Sequence, residues 1–173
     1  TAEPRRVPSV DLKNLQGWLP GVGANENADL PTFAIVAHYD TFGTSTSLAT
    51  GSDNNGSGVV ALLELARLFG RMYEHKTSKS AYNLLFMLTA GGKLNFAGAN
   101  YWLSNADSQL RDSVDFALCL DSIGRGEELY LHLTKEYKDP VAQAFYASMS
   151  VVAEAMQIPF TIVKKPIAQS QNT

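Results

Sequence analysis

Apolar and polar positions follow one another along the chain in blocks that predict strands and helices in turn. Runs that are apolar at nearly every position predict strands buried on both faces, over 32–37, 82–88 and 114–120. A looser run over 12–19 predicts a first strand, ended by a Pro-Gly pair. Shorter apolar segments at 129–133 and 159–163 predict two more strands towards the end of the chain.

Helical spacing of apolar residues separates these strands. Helices are predicted over 57–73, 96–103 and 140–156. For the first helix the pattern indicates an apolar face made of Val60, Leu63, Leu65, Leu68 and Met72. Strands that alternate with helices predict an α/β fold, a three-layer sandwich in which helices flank a mostly parallel central sheet.

Length and composition agree with a globular domain. A chain of 173 residues is long enough to bury a core, and we expect residues 1–173 to form a single domain. A net charge of -3 gives no reason to expect nucleic acid or an anionic membrane as partner. No apolar run approaches the roughly 20 residues that a membrane span needs. Because the chain lacks an initiator Met, we expect it to be a fragment of a longer protein.

Four residues carry structural expectations. Cys119 is the single cysteine and cannot form an internal disulfide, so we expect it to be a small buried hydrophobe within its strand. Trp18 and Trp102 are expected to be core or interface anchors. Ser57 is expected to cap the helix that follows it.

Polar residues follow three of the predicted strands at their carboxyl ends. The strand over 32–37 leads to His38 and Asp40, with Asp53 shortly after, and the strand over 114–120 leads to Asp121. The strand over 82–88 leads only to Thr89, Gly91, Gly92 and Lys93. Because parallel strands end at one edge of a sheet, His38, Asp53 and Asp121 are expected to converge there. One imidazole and two carboxylates suit a zinc ion, with water in the open position. Asp40 is then expected to hydrogen-bond to His38 and orient its ring for the metal ion. The alternative is that His38 binds no metal ion and is only hydrogen-bonded.

These motifs resemble a known family. They read His-Tyr-Asp at 38–40, Gly-Ser-Asp-Asn-Asn-Gly-Ser-Gly at 51–58 and Leu-Asp-Ser at 120–122, which is similar to the co-catalytic zinc aminopeptidase (M28-like) family. The resemblance implies that His38 binds one zinc ion, that Asp53 bridges two, and that Asp121 completes the first.

The chain departs from the family where the general base belongs. The family carries a Glu-Glu pair whose first member is the base and whose second binds the other zinc, and this chain reads Gly92 and Lys93 instead. A glycine cannot accept a proton, and a positioned base typically contributes about 10²–10⁴-fold to the rate. The departure predicts a pseudo-peptidase without catalytic residues, with His38, Asp53 and Asp121 as a vestigial metal set. We expect no cofactor, with one zinc ion as the alternative, and hypothesise that Lys93 pairs with Asp53.

Further segments narrow the resemblance to a degenerate, nicastrin-like branch of the family. Besides Gly-Gly-Lys at 91–93, they lie at 36–40, 63–69, 83–86 and 120–126. The branch implies the lumenal part of an endoplasmic reticulum membrane protein, a scaffold that works with the Nodal modulator protein and a small multipass membrane protein. That complex attaches to the ribosome-bound translocon, assists insertion of multipass membrane proteins and is linked to Nodal signalling. No nucleic acid and no direct membrane contact is implied for this fragment.

Asn55-Gly56-Ser57 is an N-glycosylation sequon, and a lumenal domain would present Asn55 to the glycosylation machinery. A glycan there is expected to stand over the former active site. Two other functions stay open from the sequence. One is a zinc-dependent aminopeptidase, which needs carboxylates at positions 92 and 93. The other is a binding module that recognises peptide termini in the old cleft.

Overall fold

The computed structural model describes residues 11–23, 30–45, 47–135 and 138–164. They fall into two compact units, of which the first ends at Gly124 and the second begins at Arg125. The expectation of a single domain over 1–173 stays a prediction. No helix within the described ranges combines the length and the apolar character needed to cross a bilayer.

The first unit is built on a four-stranded sheet. Its strands are β1 (Leu15–Leu19), β2 (Thr32–His38), β3 (Asn83–Thr89) and β4 (Val114–Cys119), in the spatial order β1-β3-β2-β4. The central strand β2 pairs in parallel with both β3 and β4, whereas β1 pairs antiparallel with β3. The predicted mostly parallel sheet is confirmed, with an antiparallel strand at one edge.

Helices cover the two faces of this sheet. They are α1 (Gly58–Tyr73), α2 (Ala97–Asn105) and the short α3 (Ser108–Asp112). Successive side chains of a strand point to opposite faces, so the two sets of buried residues define two cores. On one face, buried strand residues pack with α1: Ile35, Ala37, Leu84 and Phe86 against Leu62 and Tyr73. On the other face, Ala34, Leu85 and Met87 pack with Trp102 of α2. The predicted α/β sandwich is therefore confirmed.

The buried face of α1 differs from the predicted one. Of the five residues assigned to that face, only Leu65 packs against the core, whereas Val60, Leu63, Leu68 and Met72 are exposed. The residues that do pack include Val59, Leu62, Ala66 and Phe69. Because α1 begins with six consecutive residues that are apolar or glycine, periodicity alone does not determine which side turns inward.

The expectation of a buried β4 and a buried Cys119 is wrong. Along β4, half-buried residues alternate with exposed ones, and Cys119 is exposed. The physical reason is position: within the described residues β4 is an edge strand that pairs only with β2. Partial desolvation of the thiol nevertheless raises the pKa of Cys119, and the negative charge of Asp121 raises that pKa further.

Sequence periodicity missed α3, whose amino end is capped by Asp107. The Asp107 carboxylate accepts hydrogen bonds from the backbone N–H of Gln109 at 2.8 Å and of Leu110 at 3.3 Å. A single turn of 3₁₀ helix, Lys76–Ser78, was also not predicted.

The second unit is a β-α-β arrangement. Strands β5 (Leu129–His132) and β6 (Phe160–Val163) pair in parallel, and the helix α4 (Pro140–Ala155) connects them in the chain. Asp139 caps α4 by accepting hydrogen bonds from the N–H groups of Val141 and Ala142, both at 3.1 Å. The three predicted elements of this part are confirmed to within one residue at each end.

Candidate functional site

The predicted polar cluster lies at the carboxyl edge of the sheet, around the last residue of β2. His38 is 8% exposed and sits beside the residues that follow β3 and β4. Its Nδ1 lies 3.0 Å from the backbone carbonyl oxygen of Asp40, and its Nε2 lies 3.6 Å from Oδ1 of Asp121. Because a carbonyl can only accept, Nδ1 carries the proton and Nε2 is the nitrogen that faces Asp121. The structure thus brings His38 and Asp121 together.

Asp40 serves the loop after β3 more than it serves the imidazole. Its carboxylate accepts hydrogen bonds from the backbone N–H of Gly92 at 2.9 Å and of Lys93 at 3.4 Å. The carboxylate Oδ1 is 3.9 Å from His38 Nδ1, so the closer partner of the ring is the Asp40 carbonyl. Asp40 therefore orients His38 through its backbone and holds the Gly92–Lys93 turn through its side chain.

Gly92 lies directly against the imidazole ring. A Cβ atom added at position 92 would fall 2.3 Å from Cγ and 2.5 Å from Cβ of His38, closer than real Cβ contacts. Any side chain at position 92 therefore requires the ring or the loop to move. A glutamate cannot be placed there in the present arrangement.

Asp53 is engaged by the loop that follows β4. Its Oδ1 accepts from the backbone N–H of Gly124 at 3.0 Å, and its Oδ2 accepts from the hydroxyl of Ser122, also at 3.0 Å. The Ser57 hydroxyl donates to the Asp53 carbonyl at 2.7 Å and accepts from the N–H of Ile123 at 3.0 Å. Asp53 and Ser57 together clasp the 122–124 segment to the turn before α1.

Two expectations about this region are wrong. Ser57 precedes α1 but has helical backbone angles and makes no side-chain cap, because its hydroxyl is committed to Asp53 and Ile123. Lys93 is exposed, and among the described residues no carboxylate oxygen lies within 4.0 Å of its ammonium, so it does not pair with Asp53. The Asp53 carboxylate is stabilised by hydroxyl and backbone N–H donors, and not by the ammonium group of Lys93 as the hypothesis expected.

Two adjacent asparagines connect the turn before α1 to the strand ends. Asn54 Nδ2 donates to Oδ1 of Asp121 at 2.7 Å. Asn55 Nδ2 donates to the backbone carbonyls of His38 at 2.8 Å and of Leu120 at 3.0 Å. Sequence reasoning did not single out Asn54, and it singled out Asn55 only as a glycosylation site. The signal that could have found them is a pair of short amides between a strand end and a buried helix, where carbonyls need donors.

The predicted glycan on Asn55 conflicts with this geometry. Asn55 is 2% exposed, and its Nδ2, the atom that would carry the sugar, bridges the ends of β2 and β4. A sugar on this nitrogen is incompatible with the buried position and removes one of its two donor hydrogens. The sequon is therefore part of the fold's hydrogen bonding.

With the geometry described, comparison with known proteins decides the family. Residues 21–166, most of the chain, match the peptidase family M28. The chain belongs to peptidase family M28. The resemblance drawn from the motifs at 38–40, 51–58 and 120–122 is thereby confirmed.

Individual relatives of this M28 chain refine the comparison. The human BOS complex subunit NCLN is 47% identical over 165 residues, which are 90% of this chain and 29% of that protein. Nicalin of Caenorhabditis elegans is 37% identical over 138 residues, 70% of this chain and 24% of that protein. The predicted likeness to the nicastrin-like branch, that of nicalin, is confirmed. The chain spans less than a third of the length of these relatives.

Solved structures agree on the fold. BSAP, a zinc aminopeptidase from Bacillus subtilis, matches 88% of this chain and 34% of its own with a TM-score of 0.66. The sequence identity is 20%, so this likeness shows the M28 fold and does not by itself assign chemistry.

The zinc chemistry that the M28 fold implies requires donors that converge. Among the described residues no group of three His, Cys, Asp or Glu side chains is arranged to hold a metal ion. His38 and Asp121 approach each other, but Asp121 Oδ1 already accepts from Asn54 and the Asp53 carboxylate accepts from Ser122 and Gly124. At the two positions that the resemblance assigns to the general base and to a ligand of the second zinc, the chain has Gly92 and Lys93, neither of which supplies a carboxylate. The residues present therefore do not fit the M28 zinc pair.

Proposed function

We propose that this M28 domain is a non-catalytic scaffold, the peptidase-like part of a membrane-complex subunit. The observation that carries the proposal is the contact between Gly92 and His38, which leaves no room for a side chain at position 92. Positions 92 and 93 correspond, by the resemblance, to the general base and to a ligand of the second zinc. Their replacement by Gly92 and Lys93 removes both functions.

Two acidic residues of the site, Asp40 and Asp53, support the same proposal, because the carboxylate of each stabilises a loop of the fold. Asp40 holds the turn at Gly92 and Lys93, and Asp53 holds the loop at Ser122 and Gly124. Carboxylates that already accept hydrogen bonds have fewer lone pairs free for a cation or for a water proton. The carboxylates of Asp40 and Asp53 take their donors from the protein itself, and we propose no cofactor.

The relatives supply the setting. The dog and human relatives are named as subunits of the BOS complex. We infer a corresponding role in a multi-subunit complex of the endoplasmic reticulum membrane, with this domain in the lumen. The partners in that complex are the Nodal modulator protein, a small multipass membrane protein and the ribosome-bound translocon. The complex assists insertion and assembly of multipass membrane proteins.

The second candidate is a zinc-dependent aminopeptidase, favoured by the M28 fold and by the approach of His38 to Asp121. Hydrolysis of aminoacyl p-nitroanilides in the presence of zinc separates the two candidates. The scaffold proposal predicts no rate above that of a His38→Ala control. Hydrolysis that the control loses would overturn it.

A further inference from the structure

A cavity lies between the edge strand β1 and the helix α2, and it shares no lining residue with the site around His38. Its volume of about 630 Å³ lies within the range of about 300–1,000 Å³ that is usual for small-molecule sites. Asn14 and Gln16 line it at the start of β1, and Tyr101 and Asn105 line it from α2. We call it the β1–α2 cavity.

Hydrogen bonds hold the two walls of the cavity together. The Asn14 side chain donates to the carbonyl of Gly98 at 2.8 Å, and Trp102 Nε1 donates to Oε1 of Gln16 at 3.1 Å. Gly98 permits the close approach of the walls, because a Cβ atom at position 98 would fall 2.4 Å from Oδ1 of Asn14. The cavity is therefore formed before a ligand arrives, which lowers the entropic cost of binding.

Three polar groups of the lining have no hydrogen-bond partner within the part of the chain that the structure describes. They are Nε2 of Gln16, Oδ1 of Asn105 and the hydroxyl of Tyr101. Gln16 uses only its Oε1, toward Trp102, and Asn105 uses only its Nδ2, toward the carbonyl of Tyr101 at 2.8 Å. The lining thus offers a ligand one donor, one acceptor and one hydroxyl that can act as either.

The ring of Tyr101 gives the cavity a flat apolar surface. Tyr101 is 68% exposed, and it lies one helical turn from both Ala97 and Asn105 on the face of α2 that lines the cavity. Leu12 and Leu110 add apolar surface to the lining. The cavity therefore suits a ligand that has an apolar face for the ring and polar groups at its rim.

The charge of the lining favours a neutral ligand. The lining contains no lysine, arginine or histidine that would attract an anion. Its one charged side chain is that of Asp107, whose carboxylate already accepts hydrogen bonds from the N–H groups of Gln109 and Leu110 as the cap of α3. A pyranose sugar is neutral and combines C–H groups on the faces of its ring with hydroxyls at its rim.

We propose that the β1–α2 cavity binds a neutral pyranose sugar, with a face of the sugar ring on Tyr101 and its hydroxyls at Gln16 and Asn105. A sugar hydroxyl both donates and accepts, so it matches the free amide nitrogen of Gln16 and the free amide oxygen of Asn105. A peptide segment has similar donors and acceptors but no flat face of C–H groups, so the exposed Tyr101 ring favours the sugar. The inference goes beyond the proposed scaffold function and does not depend on it.

The test uses the methyl glycosides of glucose, mannose and galactose, with the open-chain polyol sorbitol as control. Saturation-transfer NMR with the 173-residue chain reports which sugar protons contact the protein, and titration gives the dissociation constant. Transfer to the ring C–H protons of at least one glycoside is expected, and none to sorbitol, which lacks a ring face. No transfer to any glycoside, or equal transfer to sorbitol, would overturn the proposal.

Variants assign the binding to the β1–α2 cavity. Tyr101→Ala removes the exposed ring and Asn105→Ala removes the free amide oxygen, and each is expected to weaken sugar binding about threefold or more. Tyr130→Ala removes a tyrosine of similar exposure, 57% against 68%, that does not line the cavity, and is expected to leave binding unchanged. Weaker binding in this control, or unchanged binding in both cavity variants, would contradict the proposal.

A competition experiment separates a sugar site from a peptide site. The competitor is the neutral tripeptide acetyl-Ala-Ala-Ala-amide, which offers amide donors and acceptors without a sugar ring. At equal concentration it is expected to leave the saturation transfer to the glycoside unchanged. Displacement of the glycoside by the tripeptide would show that the cavity is a peptide site and would overturn the proposal.

Discussion

The backbone of Gly92 lies against the imidazole of His38, so closely that a Cβ atom at position 92 would fall 2.3 Å from the ring Cγ. The loop that follows β3 therefore packs directly on the histidine. The Asp40 carboxylate fixes this arrangement by accepting from the N–H groups of Gly92 and Lys93. The carboxyl edge of the sheet is thereby closely packed around His38.

Gly92→Ala is expected to destabilise the chain. The added methyl must displace the His38 ring or the loop, and overpacking of this kind costs about 1–3 kcal/mol in the free energy of unfolding. Urea denaturation measures the change. Gly70→Ala is the matched control, because a Cβ at position 70 meets nothing within 4 Å and alanine is the better helix former by roughly 0.5–1 kcal/mol. Equal effects of the two substitutions would contradict the packing of Gly92 on His38.

Asp53→Ala is expected to lower the free energy of unfolding by about 1–3 kcal/mol, because the N–H of Gly124 and the hydroxyl of Ser122 lose their acceptor. The same loss of stability is expected in the presence of chelator, because hydrogen bonds and not a metal ion join Asp53 to Ser122 and Gly124. Glu74→Gln changes an exposed carboxylate and is expected to stay within about 0.5 kcal/mol. If Asp53→Ala were less stable than the wild type only in the presence of zinc, the result would instead indicate that Asp53 binds a metal ion.

Asn55 is expected to remain unmodified when the chain is made in a eukaryotic secretory host. Its buried Nδ2 donates to the carbonyls of His38 and Leu120, and a glycosylated amide cannot occupy that position. Peptide mass spectrometry before and after glycosidase treatment measures occupancy. A folded chain that carries a sugar at Asn55 would refute the described hydrogen bonding.

Cys119 is expected to react slowly with iodoacetamide for an exposed thiol. Partial desolvation and the charge of Asp121 raise its pKa, so at a given pH between 7 and 9 a smaller fraction is thiolate than in free cysteine. The rate is expected to rise with pH through the raised pKa, and Asp121→Asn is expected to increase it because one cause is removed. Alkylation as fast as that of free cysteine at pH 8 would contradict the expectation.

The sequence predicted the parts of the fold in which local pattern and burial agree. Strands β2 and β3 are covered on both faces, so their continuous apolar runs identify them. The buried face of α1 was predicted wrongly, because apolar residues also occupy much of its exposed side. The exposure of Cys119 depends on which strand lies at the edge of the sheet, and no local pattern reports that.

The candidate site was predictable in its location but not in its contacts. Strand ends placed His38 and Asp121 at one edge, and the structure brings them within 3.6 Å. The partners of Asp53 lie 69 and 71 residues further along the chain, at Ser122 and Gly124, and no spacing rule connects them. The prediction that Lys93 pairs with Asp53 was wrong for the same reason, because the Asp53 carboxylate accepts hydrogen bonds from neutral donors in the distant loop after β4.

The measurement that tests the scaffold account most directly is the turnover of leucine p-nitroanilide by the purified chain with zinc in excess. The wild-type chain and the His38→Ala variant are compared in parallel, because a contaminating peptidase would affect both equally. We expect identical rates, indistinguishable from buffer. Zinc-dependent turnover in the wild type that His38→Ala abolishes would contradict the account and identify an active aminopeptidase.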